Sequence, residues 1–410
     1  MIDPARLYLW SGLVWHGALR AYWVSLVVRI TITLELPSLQ LVLLGTAMEA
    51  SLLVSEVPTG VVADRYSRKW SIVVGFLGVG AAQVAAGLVE TFALLVATQI
   101  AWGVAYTFRS GADTAWITDE LGGPEAVEPL ILRLARLQQI VAMVAIGAGA
   151  LLARLTSLTT SVVLTGLVLI GTGLVMAVVM PERGWRRPST TPADLGGATV
   201  GAVAGLVATL TEGARVTVGS RALRLLLAVL VLSGLASEAV DRLDIRRLGD
   251  LGLADHDEVV IVGVIAVSEA LVGAGVLWVA QRRLGPGRSA TALATLLALS
   301  AIGIGALGLI AVLPVAAVGL VLQGGLRQAA LPFATAWTNA HATSSVRATV
   351  HSFVEQANSV GEIGGGVLLG LVAAATTVPT AMTASMVLMV AAAAVAARGR
   401  SAMATTVAVA

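Results

Sequence analysis

The sequence predicts an all-α membrane protein of twelve transmembrane helices, arranged as two six-helix halves. Three observations predict it: a composition rich in apolar and poor in charged residues, a series of long unbroken apolar segments, and basic residues gathered on one side of those segments. The 410 residues are 57% hydrophobic and only 12% charged, with a mean hydropathy of +0.90. Soluble domains carry about 25% charged residues. A water-soluble fold of this length has no way to hide so much apolar surface. In lipid every backbone polar group must be satisfied internally, so only helices and closed barrels span. Barrel strands read as alternating segments of about ten residues. Here the apolar runs last roughly 18–24 residues, the length a spanning helix needs.

The segments fall at 7–31, 38–60, 70–89, 92–112, 133–153, 160–180, 221–243, 258–280, 289–310, 312–336, 350–374 and 378–397. The first follows Asp3 and Arg6 and is too long for a signal-peptide core, so it reads as a span. With twelve spans, 18 of the 26 basic residues lie on the side of the N-terminus, Arg65, Arg68, Lys69, Arg186 and Arg187 among them. Only Arg154, Arg242, Arg246 and Arg247 lie opposite. By the positive-inside rule both termini are cytoplasmic. The organisation expected is a first half at 1–180, a linker at 181–220, a second half at 221–400 and a cytoplasmic tail at 401–410. Within the linker, residues 195–210 are apolar but short and rich in Gly. A span there would send the later basic loops outside, so a helix lying on the inner membrane surface is expected. Two equal halves fit a duplicated architecture.

The same composition excludes several chemistries. A net charge of +2 gives no reason to expect nucleic acid as a partner. No Cys is present, so disulfides, iron–sulfur clusters and thiolate metal sites are out. The four His (His16, His256, His341, His351) form no zinc-protease pattern. Lys69 is the only lysine, and it belongs to no phosphate-binding GxxxxGK[ST] loop. No span carries a lysine for a Schiff base, and there is no GxSxG nucleophile elbow. No cofactor or metal is expected.

Charged side chains inside spans are costly and need a reason. Glu49 sits near the middle of span 2 and Glu269 near the middle of span 8, corresponding places in the two halves. Each is a candidate proton carrier, since burial raises a carboxyl pKa toward neutrality. The plain alternative is a carboxylate fixed in an ion pair. Arg20 lies near the middle of span 1, with His16 and Trp23 about one turn away. It serves either an anionic substrate or Glu49 on the next span. Arg327 and Gln323 lie one turn apart on span 10, and Glu355, Gln356, Asn358 and Glu362 populate span 11. An Arg327–Glu362 pair is expected, with Gln323, Arg327 and Gln356 as cavity candidates. Glu238, Asp241 and Arg242 fall near the outer end of span 7 and are outer-gate candidates, followed by the longest polar outer loop.

Between spans 2 and 3 the chain reads Gly60-Val61-Val62-Ala63-Asp64-Arg65-Tyr66-Ser67-Arg68-Lys69. Gly60 allows close helix approach. Asp64 is a carboxylate among cations, able to cap a facing helix start, and Arg65, Arg68 and Lys69 meet anionic headgroups. The segment resembles the G-x-x-x-D-R-x-x-R-[RK] signature of the major facilitator superfamily, at the place where that family has it. Glu56-Val57-Pro58-Thr59-Gly60, Ser110 to Trp116 with Asp119, Glu238 to Leu243, and Gln356 to Gly365 resemble a bacterial branch that includes drug exporters. Glu362 stands where that branch has Gln, and Gly366 where it has Pro. Span 5 offers Gly147-Ala148-Gly149-Ala150 but lacks the usual Gly-Pro step of antiporters. The resemblance implies the major-facilitator fold and a latch in which Asp64 meets the start of span 11 and Arg68 reaches Asp119. It implies secondary transport across the cytoplasmic membrane by a monomer, with protons and a small molecule as partners and efflux of drug-like compounds as the leading expectation. Glu49, Glu269 and Glu362 are then the coupling candidates. Import or exchange of an organic anion is the alternative within transport. A membrane receptor or enzyme without transport is the alternative outside it.

Overall fold

A computed structural model describes residues 3–184, 211, 214–253, 258–283, 288–341 and 347–407. Among these residues the regular structure is helical throughout. The helices are α1 Pro4–Val28, α2 Ser38–Arg65, α3 Arg68–Leu88, α4 Phe92–Arg109, α5 Ala112–Leu121, α6 Pro124–Leu155, α7 Leu158–Val179, α8 Arg221–Asp250, α9 Glu258–Arg283, α10 Ser289–Leu309, α11 Leu313–His341, α12 Arg347–Ala375 and α13 Val378–Val407. Without the ten-residue α5, twelve long helices remain, one for each expected span. Nine of the described helices are long and apolar enough to cross a membrane by length and composition. The long helices short of that mark are α1, α4 and α11, which carry His16 and Arg20, Gln99 and Arg109, and Gln323, Arg327 and Gln328. The residues 195–210, expected to lie on the membrane surface, are outside the described residues.

Local chemistry sets the helix starts. Asp3 caps α1 by accepting from the Ala5 amide at 3.0 Å, with Pro4 in the first turn. Ser67, Ser157 and Ser220 cap α3, α7 and α8 in the same way. Gly111 and Gly122 bracket α5 with positive φ of 74° and 83°, a region open to glycine at little cost. The helix expected to stop at 243 runs on to Asp250, and the last helix runs to Val407.

The chain divides into two compact units. One is Met1–Pro188 with Gly252–Val267, and the other is Ser189–Leu251 with Ser268–Ala410. In the first unit α1 packs on α6 and α7, and α3 packs on α4 and α7. In the second, α8 packs on α12 and α13, and α10 packs on α11 and α13. Counted as spans, each unit pairs its first helix with its fifth and sixth, and its third with its fourth and sixth. Helices in lipid associate through close van der Waals contact, which small residues permit. A Cβ on Gly80 would lie 2.6 Å from the Gly166 carbonyl oxygen, and one on Gly303 would lie 2.6 Å from that of Gly319.

Each unit is also tied by a buried arginine near the end of its first span. Arg29, 3% exposed, opens a single wide turn at Arg29–Thr33, closed by the Leu34 amide donating to the Arg29 carbonyl at 2.9 Å. Its Nη1 donates to the Ala86 carbonyl at 3.2 Å and its Nε to Thr159 Oγ1 at 3.3 Å. Arg247, 7% exposed, donates to the carbonyls of Leu307, Gly308 and Ile310 at 3.0, 3.2 and 3.4 Å. Ala86 lies at the end of the third span, and so do Leu307 and Gly308. The last carbonyls of a helix have no donor within it, and in each unit a guanidinium supplies one. Arg247 therefore belongs to the core, not to the polar outer loop expected there.

Candidate functional site

In the first unit, the 60–69 segment is bound to the stretches of chain just beyond spans 4 and 6. Arg68 forms an ion pair with Asp119 and donates to the Ala115 carbonyl at 2.6 Å, while Asp64 lies 3.6 Å from its other nitrogen. Asp119 and Ala115 sit on α5, which Gly111 turns out of line with α4. Asp64 is 72% exposed at its side chain and Arg68 only 19%, so Arg68 is the anchor and Asp64 the outer partner. The start of α3 is capped by Glu182, which accepts from Ser67 Oγ at 2.7 Å and from the Lys69 amide at 2.9 Å. Trp116 Nε1 donates to the Pro181 carbonyl at 2.7 Å, and Glu120 accepts from the Gly184 amide at 2.9 Å. The exit of span 6 is thereby held against both α3 and α5. Arg65 is exposed, and Lys69 approaches the Trp70 ring at 6.0 Å. A Cβ on Gly60 would meet nothing within 4 Å. Among the described residues, the close approach expected at Gly60 is therefore not made. The expected partner of Asp64, the start of span 11 at residue 350, belongs to the second unit.

In the second unit, charged side chains gather around a cavity of about 220 Å³ lined by Ser233, Ser237, Arg327, Gln328, Asn358 and Glu362 among others. Arg327 Nη2 binds both carboxylate oxygens of Asp241 at 2.8 Å, which ties α11 to α8. Glu362 and Glu269 lie within electrostatic reach of the same guanidinium. Glu362 also accepts from Asn358 Nδ2 at 2.9 Å. The Glu269 carboxyl rests against Gly324, in the space a side chain there would fill. One turn before Asp241, Glu238 is 3% exposed and accepts from Arg242 Nε at 2.9 Å. Glu238, Asp241 and Arg242 thus stand inside a helix that continues for two more turns.

No family model matches the sequence, and no curated protein does. Solved structures do. The chain superposes on a bacterial homolog of the human lysosomal transporter Spinster, inward-facing and unoccupied, with a TM-score of 0.73 and 16% identity over 99% of both chains. The nucleoside transporter NupG matches with a TM-score of 0.69 and 14% identity over 98% of this chain and 99% of that one. A POT family transporter solved with 5-aminolevulinic acid matches with a TM-score of 0.73 and 11% identity over 95% and 94%. The fold is that of the major facilitator transporters.

Within this major-facilitator fold the remaining candidates take definite places. Gln323 is 2% exposed and packs against Gly303 of α10, while Gln356 is exposed on α12; neither lines the cavity. In the first unit Glu49 is half-buried on α2 and within electrostatic reach of Tyr106. Arg20 is exposed on α1 and Trp23 half-buried. Gly149 packs against Ala21 of α1, with a would-be Cβ 2.8 Å from the alanine methyl, whereas Gly147 borders open space. Gly361 and Gly365 of α12 press on the backbone of α8 at Val231 and Leu235.

The sequence reading overlooked Arg29, Glu182 and the rings around Trp102. The ring cluster did have a signal: Trp102 and Tyr106 stand one turn apart near the middle of span 4, away from the membrane interfaces where such residues collect. Trp23 meets Trp102 edge-on at 5.7 Å, and Trp102 stacks on Tyr106 at 5.1 Å with 21° between planes. Tyr106 leads to Trp15 at 5.8 Å, and Trp15 to Phe76 at 4.9 Å. Arg109, paired with Asp113 at 2.6 Å, covers the Trp15 ring at 4.5 Å.

Proposed function

We propose that this protein is a secondary active transporter of the cytoplasmic membrane, with cytoplasmic termini, that exports drug-like small molecules by alternating access in exchange for protons. The observation that carries the reading is the Asp241–Arg327 pair with Glu269 and Glu362 in electrostatic reach of the same guanidinium, Arg327 and Glu362 lining a cavity among apolar helices. Charges at bilayer depth are costly and are kept where they do work such as proton relay. One guanidinium shared among several carboxylates makes such a relay. When a carboxylate takes a proton it releases its claim on Arg327, and the cation turns to the next. Substrate entering the cavity competes in the same way, which links the two events. The Asp64–Arg68–Asp119 contacts act as the latch that holds one state until the cycle passes.

The test is transport by purified protein in liposomes under an imposed pH gradient, using a cationic and an anionic dye. Parent protein accumulates dye only while the gradient lasts. Glu269→Gln and Glu362→Gln, with Glu49→Gln alongside, keep downhill movement but lose accumulation. If all three variants accumulate dye as the parent does, proton coupling through these groups is wrong. Arg20 is exposed on α1. Preference for the anionic dye, lost in Arg20→Gln, would favour organic-anion exchange instead.

A further inference from the structure

Six of the chain's 9 Trp, 4 Tyr and 5 Phe residues meet in one ladder: Tyr22, Trp23, Trp102, Tyr106, Trp15 and Phe76. Aromatic side chains of membrane proteins collect at the two water interfaces, where ring and polar tip are both served. This ladder instead runs through the middle of α1 and α4. Tyr22 and Phe76 are fully buried, and Trp15 and Trp102 are 4% exposed. Trp23 and Tyr106 are half-buried, and they flank Trp102 on either side.

One detail separates this cluster from simple packing. The Trp102 indole N–H is buried and has no acceptor among the described residues. A buried indole N–H ordinarily finds a partner, because an unmet donor forfeits its bond to water. Tyr22, by contrast, receives the Gln99 amide at 3.3 Å. A wall of rings with one unspent donor among them matches a flat guest with an acceptor on its rim.

We infer that Trp23, Trp102 and Tyr106 form a subsite for a planar aromatic ligand carrying a hydrogen-bond acceptor at its edge, the ring lying against Trp23 and Tyr106 and the acceptor receiving the Trp102 N–H. Stacking is tolerant of ring identity, so the subsite selects flatness first and the acceptor second. The inference rests on the transporter reading for its physiological meaning, yet it is tested by binding alone, without a gradient.

The experiment uses the full chain in lipid nanodiscs, with empty discs as the partition control. Three probes separate the terms: acridone, a flat tricycle with a ring carbonyl; carbazole, a flat tricycle with a donor and no carbonyl; and 2-decalone, a puckered ketone. Acridone binds saturably, carbazole about tenfold more weakly, as the loss of one buried hydrogen bond requires, and 2-decalone not at all. Trp102→Phe keeps a ring and removes the donor, so acridone falls to the carbazole level while carbazole is unchanged. Trp23→Ala weakens both tricycles together. The subsite is refuted if folded protein shows no saturable acridone binding, or if the preference for acridone over carbazole survives Trp102→Phe. Parent-level pumping in all three Glu variants, with acridone binding intact, would overturn the coupling proposal alone.

Discussion

Removing either member of the Asp241–Arg327 pair has unequal consequences, and the inequality comes from the charges left behind. The contact is bidentate at 2.8 Å, with side-chain exposures of 30% for Arg327 and 34% for Asp241. Unit charges about 4 Å apart at an effective dielectric of about 20 attract by about 4 kcal/mol. Partial exposure brings this to about 2 kcal/mol, between the fully buried and the surface limits. Asp241→Asn leaves Arg327 with Glu362 and Glu269 still in reach, so the net loss is about 1 kcal/mol by the same scale. Arg327→Gln leaves Asp241, Glu269 and Glu362 facing one another without that cation, and like-charge repulsion brings the loss to about 3 kcal/mol. The difference of about 2 kcal/mol corresponds to about thirtyfold in the rate of irreversible inactivation on heating, if the pair is lost in the transition state. The assay is the half-life of purified variants in detergent at a fixed elevated temperature. A second signature is pH. Protonating the stranded carboxylates removes their repulsion, so Arg327→Gln recovers as pH falls, and Asp241→Asn does not. Equal half-lives, or a shorter one for Asp241→Asn, would refute the shared-cation arrangement.

Two further outcomes are expected. Arg68→Ala removes the ion pair to Asp119 and the bond to Ala115, and it should cut transport several-fold while shifting the protein's conformational balance. Cysteine accessibility in this cysteine-free background measures that shift, and an unchanged labelling pattern would contradict the latch. Arg247→Met strips three carbonyls of their donor and should cost about 2–4 kcal/mol at roughly 1 kcal/mol or more for each lost charge-assisted bond. Arg247→Lys, which keeps charge but not the fork, should fall between Met and parent in thermal inactivation, and parity of Lys with Met would count against the pin.

The bundle was legible because lipid imposes one backbone solution and a nearly fixed span length, so hydropathy alone orders the helices. The latch residues were legible because their spacing survives as a short local string. What escaped was long-range. Arg247 was counted among the basic residues of an outer loop, since a sequence does not distinguish a guanidinium at headgroups from one capping a distant helix. Asp241 looked like the rim of a loop because the helix was expected to end at 243, yet the helix runs on to Asp250. Glu182 fell inside the expected linker at 181–220 and was passed over, although a lone carboxylate in a basic stretch is what a helix start elsewhere would recruit. Asp241 as the bidentate partner of Arg327 was out of reach for a related reason: several carboxylates had suitable spacing, and only the rotation of α8 selects among them.

The two buried arginines carry a historical consequence. Counting back from each gives a common ruler for the first helix of either unit. Six positions before Arg29 stands Trp23, and six before Arg247 stands Asp241; nine positions before stand Arg20 and Glu238. The riveting is the same in both units, while the residues between have exchanged a ring for an acid and a cation for an anion. A half-length ancestor that doubled and fused would leave this record, with the frame inherited twice and the lining free to diverge. One copy has gone to aromatic surface and the other to charge.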